Sequence, residues 1–243
     1  MSTAITRQVV LDTETTGMNQ IGAHYEGHCI IEIGAVEVIN RRLTGNNFHV
    51  YIRPDRLVDP EAFGVHGIAD EFLRDKPTFG EVADEFINFI RGSELVIHNA
   101  SFDIGFMDYE FTKLNRGLPK TDTFCKITDS LALARKMFPG KRNSLDALCS
   151  RYEIDNTKRT LHGALLDSQI LADVYLAMTG GQTAMSFLQE GESGGQSNSN
   201  AIQRVVRTGP GLRVVRASDE ECVAHEQRLD LVMKKGGSCL WRG

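Results

Sequence analysis

A chain of 243 residues, 41% hydrophobic and 24% charged, has the composition of an ordinary globular protein, which excludes a collagen-like repeat and a wholly disordered polar chain. Its 27 basic against 32 acidic residues leave a net charge of −5, so it lacks the positive surplus with which a protein grips nucleic acid unaided. Five scattered cysteines without a C-x-x-C pair exclude a disulfide framework and a zinc knuckle, and no apolar run approaches the roughly 20 residues of a membrane helix.

The expectation is therefore a soluble protein of the reducing cytoplasm, with no membrane partner. Splitting the charge after Phe187 places 19 basic and 25 acidic residues in the larger part and 8 against 7 in the rest, so the acidic excess lies in the larger part.

In chain order, Gln8 to Leu11 is a short apolar run that ends at Asp12 and then the Thr15-Thr16-Gly17 turn, which predicts a buried strand. In IIEIGAVEVIN, Ile31, Ile33, Ala35 and Val38 alternate with Glu32 and Glu37 in the manner of a half-buried strand. Leu43-Thr44-Gly45-Asn46 is the expected turn into a third strand, NFHVYI, closed by Pro54. Thr78 with Glu81 forms a capping box, Val82, Phe86, Phe89 and Ile90 recur at helical spacing, and Gly92 supplies the stop. Leu95 to Ile97 predicts a strand, and a helix is expected from about Ile104 to Leu114. A short strand at Phe124 to Ile127 and helices over 129–138, 144–152 and 163–178 follow. Several strands followed by alternating helices and strands imply an α/β protein, a mixed sheet flanked by helices.

Residues 187–200, almost all Gly, Ser, Asn, Gln and Glu, read as a flexible linker. They divide a domain of residues 1–186 from a C-terminal segment of residues 201–243. In that segment IQRVV and LRVVRAS alternate like strands, and Cys222, His225, Leu229 and Val232 recur at helical spacing. So few apolar residues cannot build a core alone, so the segment is expected to fold on a partner.

The chemistry lies in acids at strand ends. Asp12 and Glu14 follow Val9-Val10-Leu11, and alternation along a strand puts both carboxylates on one face. Such hard oxygen donors suit magnesium or manganese. D-x-E also occurs at Asp59, Asp108 and Asp219, but those copies sit in polar or helical settings that need only solvated charge. Asp103 follows the strand at Leu95 to Ile97, and Asp167 stands among Ala164, Leu165, Leu166, Ile170 and Leu171, where an acid without a partner is costly. His162 lies five residues before Asp167, on the loop leading into the helix, and His98 stands at the same spacing from Asp103, so the two histidines compete for one role.

Asp12-Thr13-Glu14-Thr15-Thr16-Gly17, His98 to Asp103 and His162 to Asp167 resemble the three motifs of the DEDD 3′-to-5′ exonucleases, in the subclass with a histidine five residues before the last acid. The resemblance covers about residues 5 to 180. The linker and tail make the whole chain similar to the proofreading subunits of bacterial replicative polymerases. It implies a ribonuclease-H-like fold and hydrolysis of the 3′-terminal phosphodiester of mispaired DNA, with release of 5′-mononucleotides.

The resemblance also assigns residues. Two divalent ions, Mg2+ or Mn2+, would sit on Asp12, Glu14, Asp103 and Asp167, with Asp12 bridging and Asp103 acting mostly through water. His162 would be the general base, as a free imidazole titrates near about pH 6.5. Asp12, Glu14 and Asp167 would also touch substrate, Glu61 and His66 would meet the terminal nucleoside, and Val65 and Phe102 would pack on bases. Thr15, Thr16, His98 and Asn99 would shape the pocket. Implied partners are a single-stranded or frayed 3′ DNA end, the polymerase catalytic (alpha) subunit through the C-terminal segment, and a small theta-type subunit. A sliding clamp would bind through Gln182, Met185 and Phe187. An RNA-trimming enzyme of the same superfamily and a polymerase adaptor with a vestigial site are the rival readings.

Overall fold

A computed structural model describes residues 7–157, 159–180 and 216–242. The chain divides into two compact units, Met1–Ser186 and Phe187–Gly243. In the first, strands β1 (Arg7–Thr15), β2 (Ile30–Ile39) and β3 (Arg42–Tyr51) precede three helices, α1 (Pro60–His66), α2 (Asp70–Leu73) and α3 (Phe79–Ile90). Then come β4 (Glu94–Ile97), α4 (Ala100–Lys113), β5 (Lys126–Asp129), α5 (Ser130–Met137), α6 (Leu145–Tyr152) and α7 (Ala164–Gly180). The sheet order is β3-β2-β1-β4-β5, antiparallel across β3, β2 and β1 and parallel from β1 to β4 and β5. This is the mixed, helix-flanked sheet that the sequence predicts.

Alternation along β1 explains the layers. Val9 and Leu11 pack with Val82, Phe86, Phe106, Met107 and Phe111 of α3 and α4, while Val10 packs with Leu148, Ile170, Leu171 and Val174 of α6 and α7. Strand β2 was expected to be half-buried. It is covered on both faces, and Glu32 and Glu37 are themselves buried, because helices lie on both sides of the central strands.

Other local expectations shift for physical reasons. The hairpin turn falls at Asn40 and Arg41, both with positive φ (50° and 65°), the conformation that a two-residue turn demands. Leu43 to Asn46 therefore belong to β3, and its pairing with β2 shifts register between Val36 and Val38 of β2. Strand β5 begins two residues later than expected, and α4 starts at Ala100, so Asp103 lies in its first turn. Helices α1 and α2 were not anticipated. Pro60 at the first turn of α1 and Gly67 closing it at φ 70° are ordinary start and stop signals, but Glu61 to His66 carries little apolar periodicity between them. Helix α3 has its capping box: the Thr78 N–H and hydroxyl donate to Glu81 at 2.7 and 2.8 Å.

In the second unit, α8 (Asp219–Gly236) is capped by Ser218, whose hydroxyl accepts from the Glu221 N–H. The expected linker, the clamp-like residues 182–187, the strand at 202–206 and most of that at 212–218 lie outside the described residues. No helix of the described residues is long and apolar enough to cross a membrane.

Candidate active site

Strand periodicity carries Asp12 and Glu14 onto the face of β1 that bears Val10, so both look toward α7. Register sets Gly34 of β2 opposite Asp12 and Glu32 opposite Glu14. At Gly34 the sheet admits a helix backbone. A Cβ there would lie 2.1 Å from the Leu165 nitrogen and 2.2 Å from the Ala164 carbonyl carbon, so only glycine lets the first turn of α7 rest on the strand. The Ser168 hydroxyl donates to the Gly34 carbonyl at 2.7 Å, and the Ala164 N–H donates to Glu32 Oε2 at 3.2 Å. Asp167, in that first turn, is thereby set against the carboxyl end of β1.

Asp103 arrives from the other layer. Asn99, at φ 72°, turns the chain from β4 into α4, and the Thr13 hydroxyl on the α4 face of β1 donates to Asp103 Oδ1 at 2.7 Å. Single ligand atoms of Glu14, His162 and Asp167 lie within 4.8 Å of one another, close enough to share one ion. Asp12 lines the same cavity as His162 and Asp167, a space of about 720 Å³.

Packing carboxylates together in a buried site makes each harder to ionise. Burial, then Asp103, Glu14 and Asp167, drive Asp12 well above the usual range. Burial, followed by the charge of Glu32, pushes Glu14 up to about 8, and burial pushes Asp103 up to about 7. Asp167 goes the other way: burial would raise it, but hydrogen bonds with His162 and Arg159 outweigh that and hold it low. Glu14 Oε1 is buried without a hydrogen-bond partner. Hard oxygen donors, mutual repulsion and an orphaned carboxylate oxygen all fit a divalent cation.

The histidines separate. His162 Nδ1 is 3.2 Å from Asp167 Oδ2 and its side chain is 46% exposed. His98 is directed to Ser130 Oγ at 3.0 Å, and burial lowers its pKa. Of the nucleotide-contact candidates, Glu61 and Val65 are exposed on α1. His66 is buried, with Nδ1 accepting from the Ile68 N–H at 3.0 Å. The Val65 carbonyl accepts the His162 N–H at 3.2 Å, tying α1 to the histidine loop. Phe102 is half-buried and stacks on His24 with ring centroids 5.1 Å apart, so one of its faces is covered. Thr16 ties the end of β1 to Cys29, whose N–H donates to its hydroxyl at 3.0 Å; the Thr15 hydroxyl donates to the Gly17 carbonyl, and the Asn99 N–H donates to Asp129.

Three charged residues of the site were missed by sequence reasoning: Glu32, Asp146 and Arg159. Arg159 fastens Asp167 to Asp146, and no spacing within a single motif announces such a link.

A profile described as Exonuclease matches residues 9–175. The DNA polymerase III subunit epsilon of Escherichia coli strain K12 is 81% identical over 242 residues, covering all of both chains. This chain belongs to the DNA polymerase III epsilon family of exonucleases. Its Haemophilus influenzae relative, also a DNA polymerase III subunit epsilon, is 59% identical over 242 residues, covering 97% of this chain and 94% of that one. Epsilon-family chains are proofreading 3′-to-5′ exonucleases, and the wider family implies divalent metal ions. A structure of exonuclease X in complex with 5′ overhanging duplex DNA superimposes with a TM-score of 0.52 at 31% identity, over 71% of this chain and 91% of that one. The nuclease domain of a DEDDh family member bound to rAMP shares the fold, with a TM-score of 0.60 at 19% identity over 73% and 94%.

Proposed function

We propose that Asp12, Glu14, Asp103 and Asp167 hold two divalent ions, Mg2+ or Mn2+, and that with His162 they remove the 3′-terminal nucleotide of mispaired DNA. The observation that carries this reading is the convergence of Glu14, His162 and Asp167 on one point beside Asp12. Such ions, when bound, supply a more acidic water and offset negative charge on the phosphate and the departing 3′-oxygen.

The chain's own groups do the rest. His162 is exposed enough to meet water and stands beside Asp167, and its imidazole accepts the proton of the attacking water. Asp167 orients that imidazole. Arg135 and Lys141 line the same cavity and set positive charge where a DNA phosphate would approach an otherwise acidic unit. Glu61, Val65 and His66 of α1 flank the terminal nucleoside, and the uncovered face of Phe102 stacks on a base.

Residues 1–186 form the nuclease, residues 187–200 a linker and residues 201–243 the segment that binds the polymerase catalytic (alpha) subunit. Exposed Val223, Leu231, Val232, Leu240 and Trp241 support the last assignment, because apolar side chains of this size are stabilised by burial in a partner. Gln182, Met185 and Phe187 contact the sliding clamp, a theta-type subunit docks on the nuclease, and the assembly works in the cytoplasm. The test is release of mononucleotides from 3′-mispaired DNA, paired DNA and short RNA, with a chelator and with Mg2+ or Mn2+ restored. Mispaired DNA should be degraded fastest, the chelator should stop it, and Asp12→Ala should be inactive. Chelator-resistant activity would overturn the ion-dependent reading, and preference for RNA would overturn the proofreading one.

A further inference from the structure

Both oxygens of Asp167 are engaged by a cation that belongs to the chain. Arg159, in the loop between α6 and α7, places Nε 2.5 Å from Asp167 Oδ1 and Nη2 2.8 Å from Oδ2. Its third nitrogen, Nη1, lies 2.8 and 2.9 Å from the two oxygens of Asp146 on α6. Nη2 also lies 2.9 Å from His162 Nδ1. The Arg159 side chain is 8% exposed although its Asp146 partner is 59% exposed, so the guanidinium is sunk into the site and anchored from the rim.

A guanidinium offers five donors in one plane, and here Nε and Nη2 grip Asp167 while Nη1 alone holds Asp146. A divalent ion binds carboxylate oxygens at about 2.0–2.6 Å, so on either oxygen of Asp167 it would stand within a few ångströms of the guanidinium and be repelled by it. An ion that takes Asp167 from the side the fork occupies opens the fork.

We propose that Arg159 is a resident counter-cation that competes with the divalent ion for Asp167. It is held next to the site by Asp146, and its withdrawal frees Asp167 and His162 together. This rests on the reading of Asp167 as an ion ligand. Arg159 acts as a positioning residue: its grip keeps the acid and the imidazole together while no ion bridges the carboxylates, and it sets the ion concentration at which the site assembles.

The experiment is calorimetric titration of Mn2+ at pH 7.5 into chelator-treated full-length chain. It compares the wild type with Arg159→Gln, Arg159→Lys and Asp167→Asn, beside thermal melts of each protein without metal. Charge-assisted forks of this kind are strong enough that Arg159→Gln should tighten the apparent Kd for Mn2+ by about tenfold or more. The same variant should lower the melting temperature of the chelated protein. Arg159→Lys keeps the charge and loses the forks, so it should fall between wild type and Arg159→Gln, and it decides the matter if the Gln variant does not fold. A merely structural clamp predicts the opposite sign, since loosening the loop would leave Mn2+ binding unchanged or weaker. That result, with Asp167→Asn losing Mn2+, would overturn the competition alone. Full Mn2+ binding by Asp167→Asn would overturn the underlying ion-site reading with it.

Discussion

Gly34→Ala adds one methyl group, and the structure says where it goes. The new carbon would stand 2.1 Å from the Leu165 nitrogen, against about 3.4 Å for ordinary contact, so α7 must lift by about 1.3 Å or β2 must sink. Neither is cheap, because α7 is fastened at that point by the Ser168 bond to the Gly34 carbonyl and by the Ala164 bond to Glu32. Overpacking of this kind costs about 1–3 kcal/mol, which for a domain of this size is a loss of about 2–12 °C in Tm. The kinetic effect should be the larger one. Asp167 rides on the same helical turn, and a displacement of about 1 Å at a reacting centre can cost about a hundredfold in rate. Thermal melting and a single-turnover exonuclease assay on the full chain measure both, with Gly64→Ala as control, since a Cβ at Gly64 meets nothing within 4 Å. A Gly34→Ala protein that kept wild-type Tm and rate would refute the claim that this glycine sets the height of Asp167.

His162→Ala should lose about 10²–10⁴ in rate while keeping Mn2+ affinity, and an undiminished rate would pass the role of base to another group. Chelator-treated protein should be more stable at pH 5.5 than at pH 8.5. The raised Asp12, Glu14 and Asp103 bind protons more tightly folded than unfolded, so their contribution is present below the usual carboxylate pKa and lost as pH rises toward about 8. Glu14→Gln should shrink that difference, and an unchanged pH dependence in this variant would contradict the assignment. Asp167 has the reverse sign, since its lowered pKa contributes stability above the usual range that is lost in acid. Cutting the chain after residue 186 should spare nuclease activity and remove binding to the polymerase catalytic subunit, as read by size-exclusion chromatography; retained binding would refute that division of labour.

What could be read in the sequence was what is local. The alternation in β1, the capping box of α3 and the acids that close strands each depend on neighbours a few residues away. Asp12 and Glu14 could therefore be placed on one face of β1 before any contact was known, whereas Asp103, His162 and Asp167 were singled out by the resemblance of their motifs to a family. Glu32 passed as the polar side of a half-buried strand because nothing nearby says that α7 covers it. Arg159 passed unnoticed because its meaning comes from two carboxylates on different helices, 13 residues before it and 8 after it. Gly34 looked like any small residue in a strand, and only the helix laid across it explains the missing side chain.

The most direct test of the account is a crystal structure of the chain soaked with Mn2+ and a mononucleotide, read in anomalous density. Two peaks about 3.5–4 Å apart, bound to carboxylates among Asp12, Glu14, Asp103 and Asp167 with His162 beside them, are the predicted result. Manganese bound elsewhere, or these four acids left without an ion while the nucleotide occupies the site, would contradict it.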